Sequence, residues 1–282
     1  MNYKHAYHAG NHADVLKHLL LLATLDALSV KPAPWFLLDT HAGQGRYALD
    51  SVEAGKTGES AEGITRLQRW GAAHRPLKPA LARYLKAVRP HTDAGFYPGS
   101  PLLAAEAARE DDRIACCELQ ADQCAPLKAL FARDPRVGVH QRDGYAATKA
   151  LLPPSQRRGL VLIDPPYEAQ AAEFDTVLDA IRTGLGRWPQ GIFALWYPIK
   201  QRRTLLPFFR RVAHLPARNI WTAELLVRPD DSPLRMNGSG MLLVNPPWQL
   251  DQAIEPVLPD LAAAMGDAGA RWQLHWLARE AS

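Results

Sequence analysis

The fold is decided by the stretch Leu160-Val161-Leu162-Ile163-Asp164-Pro165-Pro166-Tyr167, where an apolar run ends in an acid and a rigid turn. Four consecutive large apolar residues are typical of a strand that is buried on both faces. Two consecutive prolines can neither continue a strand ladder nor enter a helix, so the strand must stop there. Ligands of open α/β sheets bind at the carboxyl ends of the strands, which makes this turn the predicted centre of an active site.

The chemistry of the turn indicates an amine substrate. The Asp164 carboxylate and the Pro165 carbonyl can accept both hydrogens of a planar exocyclic amine, and the Tyr167 ring can stack on the base that carries it. We therefore predict catalytic roles for these three residues in methylation of an amino group on a nucleobase. The tetrapeptide alone fits a proline-rich loop between a strand and a helix equally well, so its neighbours have to decide.

Composition limits the class of protein. The chain has 282 residues, of which 47% are hydrophobic and 22% charged, so we expect one domain over residues 1–282. No apolar run approaches the ~20 residues that span a bilayer, and the first residues lack the apolar stretch of a signal peptide, which predicts a cytoplasmic protein without a membrane partner. A net charge of +4 is compatible with a nucleic-acid partner, although many other enzymes are equally basic.

Apolar runs and amphipathic stretches alternate along the chain. Strands are predicted at residues 35–39, 113–118, 136–140, 160–163 and 191–196, with helices at 13–28, 121–133, 173–185 and 203–213. Such alternation predicts an α/β fold with a mostly parallel, doubly wound sheet. Two further strands, 223–227 and 241–244, follow each other closely and predict an antiparallel edge.

The spacing of the first two acid-ended strands predicts an insertion. A simple cofactor fold places its second strand-end acid roughly 20 residues after the first. Asp39 and Glu118 are 79 residues apart, so we predict a small inserted helical subdomain over residues 49–96. Behind it, Ser100 and Pro101 predict the start of a helix with Ser100 as the N-cap.

The strand ends also carry a pattern that fits one cofactor. The segment from Asp39 to Gly45, with Gly43-Gln44-Gly45 at its turn, lies at the end of the first strand, Glu118 at the end of the second, Asp143-Gly144 of the third and Asp164 of the fourth. The glycines let the backbone approach a ligand, Glu118 can accept both hydroxyls of a ribose, and Asp143-Gly144 can engage an adenine edge. This pattern predicts S-adenosylmethionine. A nicotinamide cofactor would require a glycine-rich turn that opens directly into a helix, which makes a dehydrogenase the weaker interpretation.

Five segments carry a resemblance that spans nearly the whole chain. They are Asn2-Tyr3-Lys4-His5-Ala6-Tyr7-His8-Ala9-Gly10-Asn11-His12-Ala13-Asp14-Val15-Leu16-Lys17-His18, Leu38-Asp39-Thr40-His41-Ala42-Gly43, Tyr97-Pro98-Gly99-Ser100-Pro101, Leu162-Ile163-Asp164-Pro165-Pro166-Tyr167-Glu168 and Ala194-Leu195-Trp196-Tyr197-Pro198. Together they resemble the bacterial 23S ribosomal RNA adenine-N6 methyltransferase family called RlmJ. Similar proteins have also carried a label for uptake and use of external DNA, which implies no chemistry visible here.

The resemblance implies a Rossmann-like class I S-adenosylmethionine-dependent methyltransferase. It further implies direct methyl transfer to N6 of one adenosine in 23S ribosomal RNA, which we expect to be unassembled, by a monomeric enzyme. The cofactor contacts that it implies are His18, His41, Ser100, Glu118, Asp143, Gly144 and Asp164. The groups that it places toward the target adenosine are Tyr3, His5 and Lys17.

Two other functions remain open at this stage. The turn at Asp164 would contact the amine of the base and not the sugar, so it cannot distinguish RNA from DNA. Methylation of adenine N6 in DNA is therefore the main rival function. A nucleic-acid-binding protein without turnover, serving the use of external DNA, is a rival of another class. The intact Asp164, Glu118 and glycine turn favour catalysis over that second rival.

Several attractive residues also have ordinary structural explanations. His8 and His12 are spaced like metal ligands, but no cysteine or acid completes a site, so no metal is expected. Asn245-Pro246-Pro247-Trp248 resembles the turn at Asp164, yet it follows the last predicted strand, which favours a structural stop. Trp196-Tyr197-Pro198 either lines a base pocket or simply packs. The basic groups Arg157-Arg158, Lys200 with Arg202-Arg203, and Arg210-Arg211 form either an RNA-binding rim or solvated faces.

Overall fold

The computed structural model describes residues 8–50, 58–167, 170–233 and 236–280. The strands are β1 Trp35–Asp39, β2 Arg46–Ala48, β3 Phe96–Pro98, β4 Arg113–Cys117, β5 Val137–His140, β6 Arg158–Ile163, β7 Ile192–Ile199, β8 Ile220–Leu226, β9 Gly238–Val244 and β10 Arg271–Ala278. The helices are α1 His12–Ser29, α2 Arg66–Ala73, α3 Pro79–Asp93, α4 Ser100–Ala107, α5 Ala121–Leu130, α6 Gly144–Ala150, α7 Gln170–Arg187, α8 Leu206–Val212, α9 Leu250–Ile254 and α10 Leu258–Met265. A π-helical turn, Ala61–Thr65, leads into α2.

The central sheet has the strand order β10-β8-β9-β7-β6-β1-β4-β5. Strands β7, β6, β1, β4 and β5 are parallel, whereas β9 runs antiparallel to both β7 and β8. The predicted mostly parallel, doubly wound sheet is therefore confirmed. Because the chain runs from β1 outward to β5 and then returns to β6 on the other side of β1, the carboxyl ends of β1 and β6 flank the switch point where ligands bind.

Helix α1 is buried on almost every side, which is expected for a helix that is apolar all round. It packs against the sheet at β9 and β6 and against α3 and α4 on its other side. The Asn11 side-chain oxygen caps its first turn by accepting the backbone N–H groups of Ala13 at 2.9 Å and Asp14 at 3.0 Å. The cap fixes the start of the helix and therefore the positions at which its buried polar residues, such as Asp14 and Lys17, point into the core.

The chain between Ala48 and Phe96 leaves and returns through a two-stranded ribbon that the sequence did not predict. In this ribbon β2 pairs antiparallel with β3, and Arg46 lies opposite Pro98. Between the two strands lie the π-helical turn, α2 and α3, whose buried residues Ile64, Leu67 and Tyr84 belong to the same core cluster as α1. The helical content matches the expectation for residues 49–96, and their status as a separate subdomain stays a prediction; residues 51–57 lie outside the described chain.

Two details of the sequence interpretation are wrong. The two strands that were predicted to form an antiparallel edge, β8 and β9, do pair antiparallel, but the edge of the sheet is β10, which pairs antiparallel with β8. The N-cap of α4 is Gly99, one residue earlier than predicted, and the Ser100 hydroxyl donates instead to Asp39 Oδ2 at 2.7 Å. In the described ranges, no helix is long and apolar enough to cross a membrane.

Close packing of β6 against β1 gives a test of the fold. Gly159 lies opposite Phe36, and a Cβ added at Gly159 would lie 2.0 Å from the Phe36 carbonyl oxygen. We expect Gly159→Ala to lower the free energy of unfolding by about 1–3 kcal/mol, because the central strands must separate. Urea unfolding at an unchanged m-value measures this loss.

A second glycine provides the control. A Cβ at Gly186, in α7, would meet nothing within 4 Å, so Gly186→Ala should stabilise the protein by about 0.5–1 kcal/mol. Equal effects of the two substitutions would contradict the packing described here.

Candidate active site

Two cavities adjoin at the carboxyl ends of β1 and β6. The first, which we call the glycine-turn cleft, is lined among others by His18, His41, Gly43, Tyr47 and Ser100. The second, the Tyr167 pocket, has a volume of about 340 Å³ and is lined among others by His8, Glu59, Tyr167, Trp196 and Lys200. Three residues line both: Lys17, Asp164 and Pro166. A group bound in one cavity therefore meets a group bound in the other at the Asp164 turn.

A buried ion-pair network forms the wall between the cavities. The Lys17 ammonium contacts Asp164 Oδ2 at 2.5 Å and Asp14 Oδ1 at 2.8 Å, and the Lys17 side chain is 5% exposed. Burial opposes its charge, but the two carboxylates outweigh burial and hold the pKa of Lys17 well above its ordinary value. Lys17 is therefore a fixed cation at neutral pH.

The end of β1 adds a further buried acid. Burial raises the pKa of Asp39 to about 6, while the Ser100 hydroxyl and the His41 backbone N–H favour its charged form. Asp39 begins the strand-end segment, Asp39 to Gly45, that the sequence predicts to contact the cofactor. Its bond to Ser100 holds α4 against the glycine-turn cleft.

His41 is neutral and has a defined tautomer. Burial lowers its pKa to about 4, despite the nearby carboxylates of Asp164 and Asp143. The Thr40 hydroxyl donates its single proton to the Leu162 carbonyl oxygen, so it must accept the 2.8 Å hydrogen bond from His41 Nδ1. The other ring nitrogen, Nε2, is consequently an acceptor.

The remaining predicted cofactor residues lie around the glycine turn. Glu118 accepts the Gly43 backbone N–H at 3.0 Å and the Gln120 backbone N–H at 2.7 Å, and burial raises its pKa. Gly43 has a φ of 59°, a left-handed conformation that favours glycine. Gly144 packs so closely on β1 that a Cβ there would lie 1.9 Å from the Thr40 carbonyl oxygen. The turns that carry these residues therefore hold one another in place.

Tyr145 connects Asp143 to His41. The Asp143 side chain caps α6 by accepting the Tyr145 backbone N–H at 2.8 Å. The Tyr145 ring meets the His41 ring edge-on at 4.9 Å between centroids. Asp143 is thus next to the glycine-turn cleft, although it is not among the residues that line it.

Tyr167 is held rigidly at the mouth of its pocket. It is 7% exposed, its hydroxyl donates to the Trp196 carbonyl oxygen at 2.9 Å, and its ring contacts Phe174 and Trp196. Its φ of 49° is left-handed, which is strained for a bulky side chain. Trp196 and Pro198 line the pocket, whereas Tyr197 is fully buried and donates to Glu224, so one residue of that tripeptide packs and two face the cavity.

The N-terminal residues of the pocket form a second polar cluster. His8 Nδ1 lies 2.9 Å from Glu59 Oε1, and Asn11 Nδ2 donates to Glu59 Oε2 at 2.8 Å. The bond to Glu59 raises the pKa of His8, whereas burial lowers that of His12 to about 4. Over the described residues, no group of three or more histidines, cysteines and acids is placed to hold a metal ion.

The second Pro-Pro turn has a structural role. Asn245 Nδ2 donates to the carbonyl oxygens of Pro189 at 2.9 Å and Gly191 at 3.0 Å, which closes the loop before β7. Asn245 has a φ of 53°, and Trp248 is 88% exposed. Neither residue lines the glycine-turn cleft or the Tyr167 pocket.

The structure brings most of the predicted site residues together. Lys17, His18, His41, Gly43, Ser100 and Asp164 line the glycine-turn cleft, and Tyr167 lines its own pocket. Pro165 is buried and lines neither cavity, so the role of its carbonyl stays a prediction. Tyr3 and His5 lie outside the described residues. The analysis of the sequence missed Asp14 and Tyr47, because their roles depend on contacts with distant parts of the chain.

Comparisons with known proteins identify the family of the chain. Residues 32–278 match the model of the family described as "Ribosomal RNA large subunit methyltransferase D, RlmJ". The chain belongs to this family. Proteins named "Ribosomal RNA large subunit methyltransferase J" from Haemophilus influenzae and Escherichia coli are each 41% identical to it, over 99% and 95% of this chain and 100% and 95% of their own.

A solved structure supports the fold. The crystal structure of protein LPL1258 from Legionella pneumophila is 31% identical, with a TM-score of 0.86, and the match covers 95% of this chain and 98% of that one. The Rossmann-like α/β fold expected from the sequence is therefore confirmed.

The residues around the glycine turn, including Glu118 beside the glycine-turn cleft, fit S-adenosylmethionine. Each Glu118 oxygen already accepts one backbone N–H and can accept a second hydrogen bond, which suits the two ribose hydroxyls. His41 Nε2 is an acceptor that suits an amine. A Cβ at Gly43 would lie 2.1 Å from the Tyr47 hydroxyl, so only glycine leaves this turn open.

The raised pKa of Asp39 predicts a pH-dependent stability. Because the folded chain holds the Asp39 proton more tightly than the unfolded chain, ionisation opposes folding, and stability is lost as the pH rises from about 4 to about 6. In Asp39→Asn this loss is absent. We expect the free energy of unfolding of the variant to rise relative to wild type by on the order of 2–3 kcal/mol across that window, and to stay level above it.

Urea unfolding of both proteins between pH 4 and 8 measures the difference. Because the other carboxyl groups contribute equally to both proteins, only the difference between variant and wild type is used. A difference that is the same at every pH would show that Asp39 titrates normally.

Proposed function

We propose that the protein transfers the methyl group of S-adenosylmethionine to the N6 amine of one adenosine in 23S ribosomal RNA, and that Asp164 orients the amine. The observation that supports the proposal most directly is the position of Asp164 in the wall shared by the glycine-turn cleft and the Tyr167 pocket. Family membership supports the class of substrate. Action as a monomer in the cytoplasm, on RNA not yet assembled into the subunit, stays a prediction.

The cofactor would be held in the glycine-turn cleft. Glu118 would accept the ribose hydroxyls, Asp143 and Gly144 would meet the adenine edge, and His18, His41 and Ser100 would line the remainder. When bound, S-adenosylmethionine supplies a methyl group that its sulfonium already activates, so no metal is needed for this reaction. The chain contributes orientation of the acceptor amine and exclusion of water.

Lys17 and Asp164 have different roles at the reacting amine: Lys17 holds the carboxylate, and the carboxylate accepts from the amine. Lys17 already donates one hydrogen bond to Asp164 Oδ2, so we assign the other carboxylate oxygen, which has more acceptor capacity left, to a hydrogen of the incoming amine. As the amine nitrogen forms its new bond, positive charge develops beside the carboxylate, which stabilises it and can accept the proton that is released. Asp14 shares the charge of Lys17 and so limits how far Lys17 neutralises Asp164.

The Tyr167 pocket would hold the target base. Since the hydroxyl and one flank of Tyr167 are engaged by Trp196 and Phe174, the ring is fixed and would not need to be ordered when a base stacks on it. In-line placement of two reactants is worth about 7–11 kcal/mol, whereas extruding a base costs a few. Positioning should therefore dominate the rate.

The role of Asp164 is tested by Asp164→Asn. An amide aims a donor at the target amine and carries no charge, so we expect single-turnover methyl transfer to fall by at least about 100-fold. Circular dichroism and binding of S-adenosylhomocysteine report whether the fold and the cleft survive.

The matched control lies in the other Pro-Pro turn. Trp248→Ala removes an exposed ring at the position that corresponds to Tyr167, and should leave methyl transfer unchanged. If Trp248→Ala lost the rate while Asp164→Asn kept it, the catalytic centre would be at the end of β9.

The substrate is tested with protein-free RNA. We expect the purified protein to methylate 23S ribosomal RNA at a single adenine N6 and to leave duplex DNA unmodified at the same salt concentration, which must be matched because phosphate contacts depend strongly on salt. Mass spectrometry of nuclease digests locates the modified base. Equal incorporation into duplex DNA would favour the DNA methyltransferase instead.

A further inference from the structure

A large groove opens between α2 and α3, away from the two cavities of the candidate active site. Its volume is about 970 Å³. The apolar side chains of Leu77 and Leu85 form its floor, and the rim carries three cations and one acid, namely Arg75, Lys86, Arg89 and Asp93. A groove with an apolar floor and a mainly cationic rim suits a ligand that has flat apolar faces and regularly spaced negative charges.

The net charge of the chain lies in the segment that contains this groove. Residues 58–95 contain seven lysines and arginines and three acids, a net charge of +4, which equals the net charge of all 282 residues. The rest of the chain is therefore neutral on balance. A basic segment on an otherwise balanced protein is the electrostatic footprint of a polyanion-binding surface.

The three rim cations are free of ion pairs within the described residues. In the described part of the chain, Arg75, Lys86 and Arg89 are exposed and take part in no ion pair, whereas Arg66 and Arg83 of the same segment pair with Asp267 and Asp26. Exposed cations on a helix usually just face solvent. These three instead converge on one concave surface, which a solvated face does not require.

The groove is joined to the Tyr167 pocket by one helical run. Residues 59–73 are continuously helical, with Glu59 lining the pocket and Gly71 lining the groove. At the usual rise per residue these two positions are about 18 Å apart along the helix. The π-helical turn is anchored beside the pocket by the 2.8 Å bond from the Ile64 N–H to the Gly10 carbonyl oxygen. One strand of a polynucleotide can therefore reach both sites.

We propose that this groove binds a single-stranded segment of the RNA that carries the target adenosine. The three rim cations contact phosphates, and the apolar floor contacts bases, which a duplex would keep paired and stacked in its interior. The inference rests on the proposed function for the identity of the polymer. What it adds is the location of the surface that binds the RNA strand outside the active site.

The test is the salt dependence of binding to protein-free 23S ribosomal RNA. The triple variant Arg75→Ala, Lys86→Ala, Arg89→Ala should bind at least roughly tenfold more weakly at 0.1 M salt, and the slope of log K against log salt should become shallower by about 2. The matched control removes three exposed cations elsewhere that form no ion pair within the described residues and belong to none of the candidate RNA-binding groups: Lys31→Ala, Arg133→Ala, Arg271→Ala. Its slope should stay close to wild type, and equal losses in both triples would overturn the proposal.

Amine footprinting measures the reactivity of individual lysines, which does not depend on the net charge of a variant. Bound RNA should protect Lys86 from acetylation and leave the exposed Lys128, on α5, as reactive as in the free protein. Competition with a single-stranded oligonucleotide should abolish the protection more effectively than competition with a duplex of equal length. Protection of Lys128 alone, or preference for the duplex, would overturn the assignment.

The outcomes separate this inference from the proposed function. Methylation of 23S ribosomal RNA by wild type, with unchanged RNA affinity in the groove variant, would refute the groove and keep the function. RNA binding that depends on the groove, without methyl transfer by wild type, would refute the function and keep the groove. Binding of S-adenosylhomocysteine and circular dichroism show that each variant is folded.

Discussion

The ammonium group of Lys17, held between the carboxylates of Asp14 and Asp164, is the interaction on which the active site depends. Taking a charge out of water costs several kcal/mol, and removing one partner of such a buried group typically costs about 3–5 kcal/mol. The network therefore fixes α1 against the end of β6 within narrow limits. The cap at Asn11 and the hydrogen bond from the Gly10 N–H to Asp14 Oδ2 at 2.9 Å serve that same alignment.

The helices that follow β2 pack on α1, the helix that carries Lys17. Ile64 and Leu67 from this segment share a core with the leucines of α1, so the surface that carries the basic groove rests on the helix that carries Lys17. Rigid packing of this kind fixes the distance between the groove and the Tyr167 pocket. A strand held at one site would therefore be presented to the other at a constant spacing.

The local parts of this architecture could be predicted from the sequence. The stop at Asp164 follows from an apolar run and two prolines, and the parallel sheet follows from the alternation of elements. Contacts between distant residues could not be predicted in this way: Lys17 and Asp164 are separated by 147 positions, and the Ser100 hydroxyl bonds to Asp39 across 61. The edge strand β10 was missed because its polar and apolar residues are only partly buried, which weakens the alternation that marks a strand.

The two Pro-Pro turns show how little a short string of letters specifies. In the turn at Asp164 the left-handed residue is Tyr167, which comes after the prolines, whereas in the turn at Asn245 it is Asn245 itself, which comes before them. The first arrangement directs a carboxylate and a ring into cavities, and the second ties an amide to a neighbouring loop. A genome search for an acid or amide followed by two prolines and an aromatic residue would retrieve both turns from this one protein. Backbone handedness, which such a search ignores, would sort them.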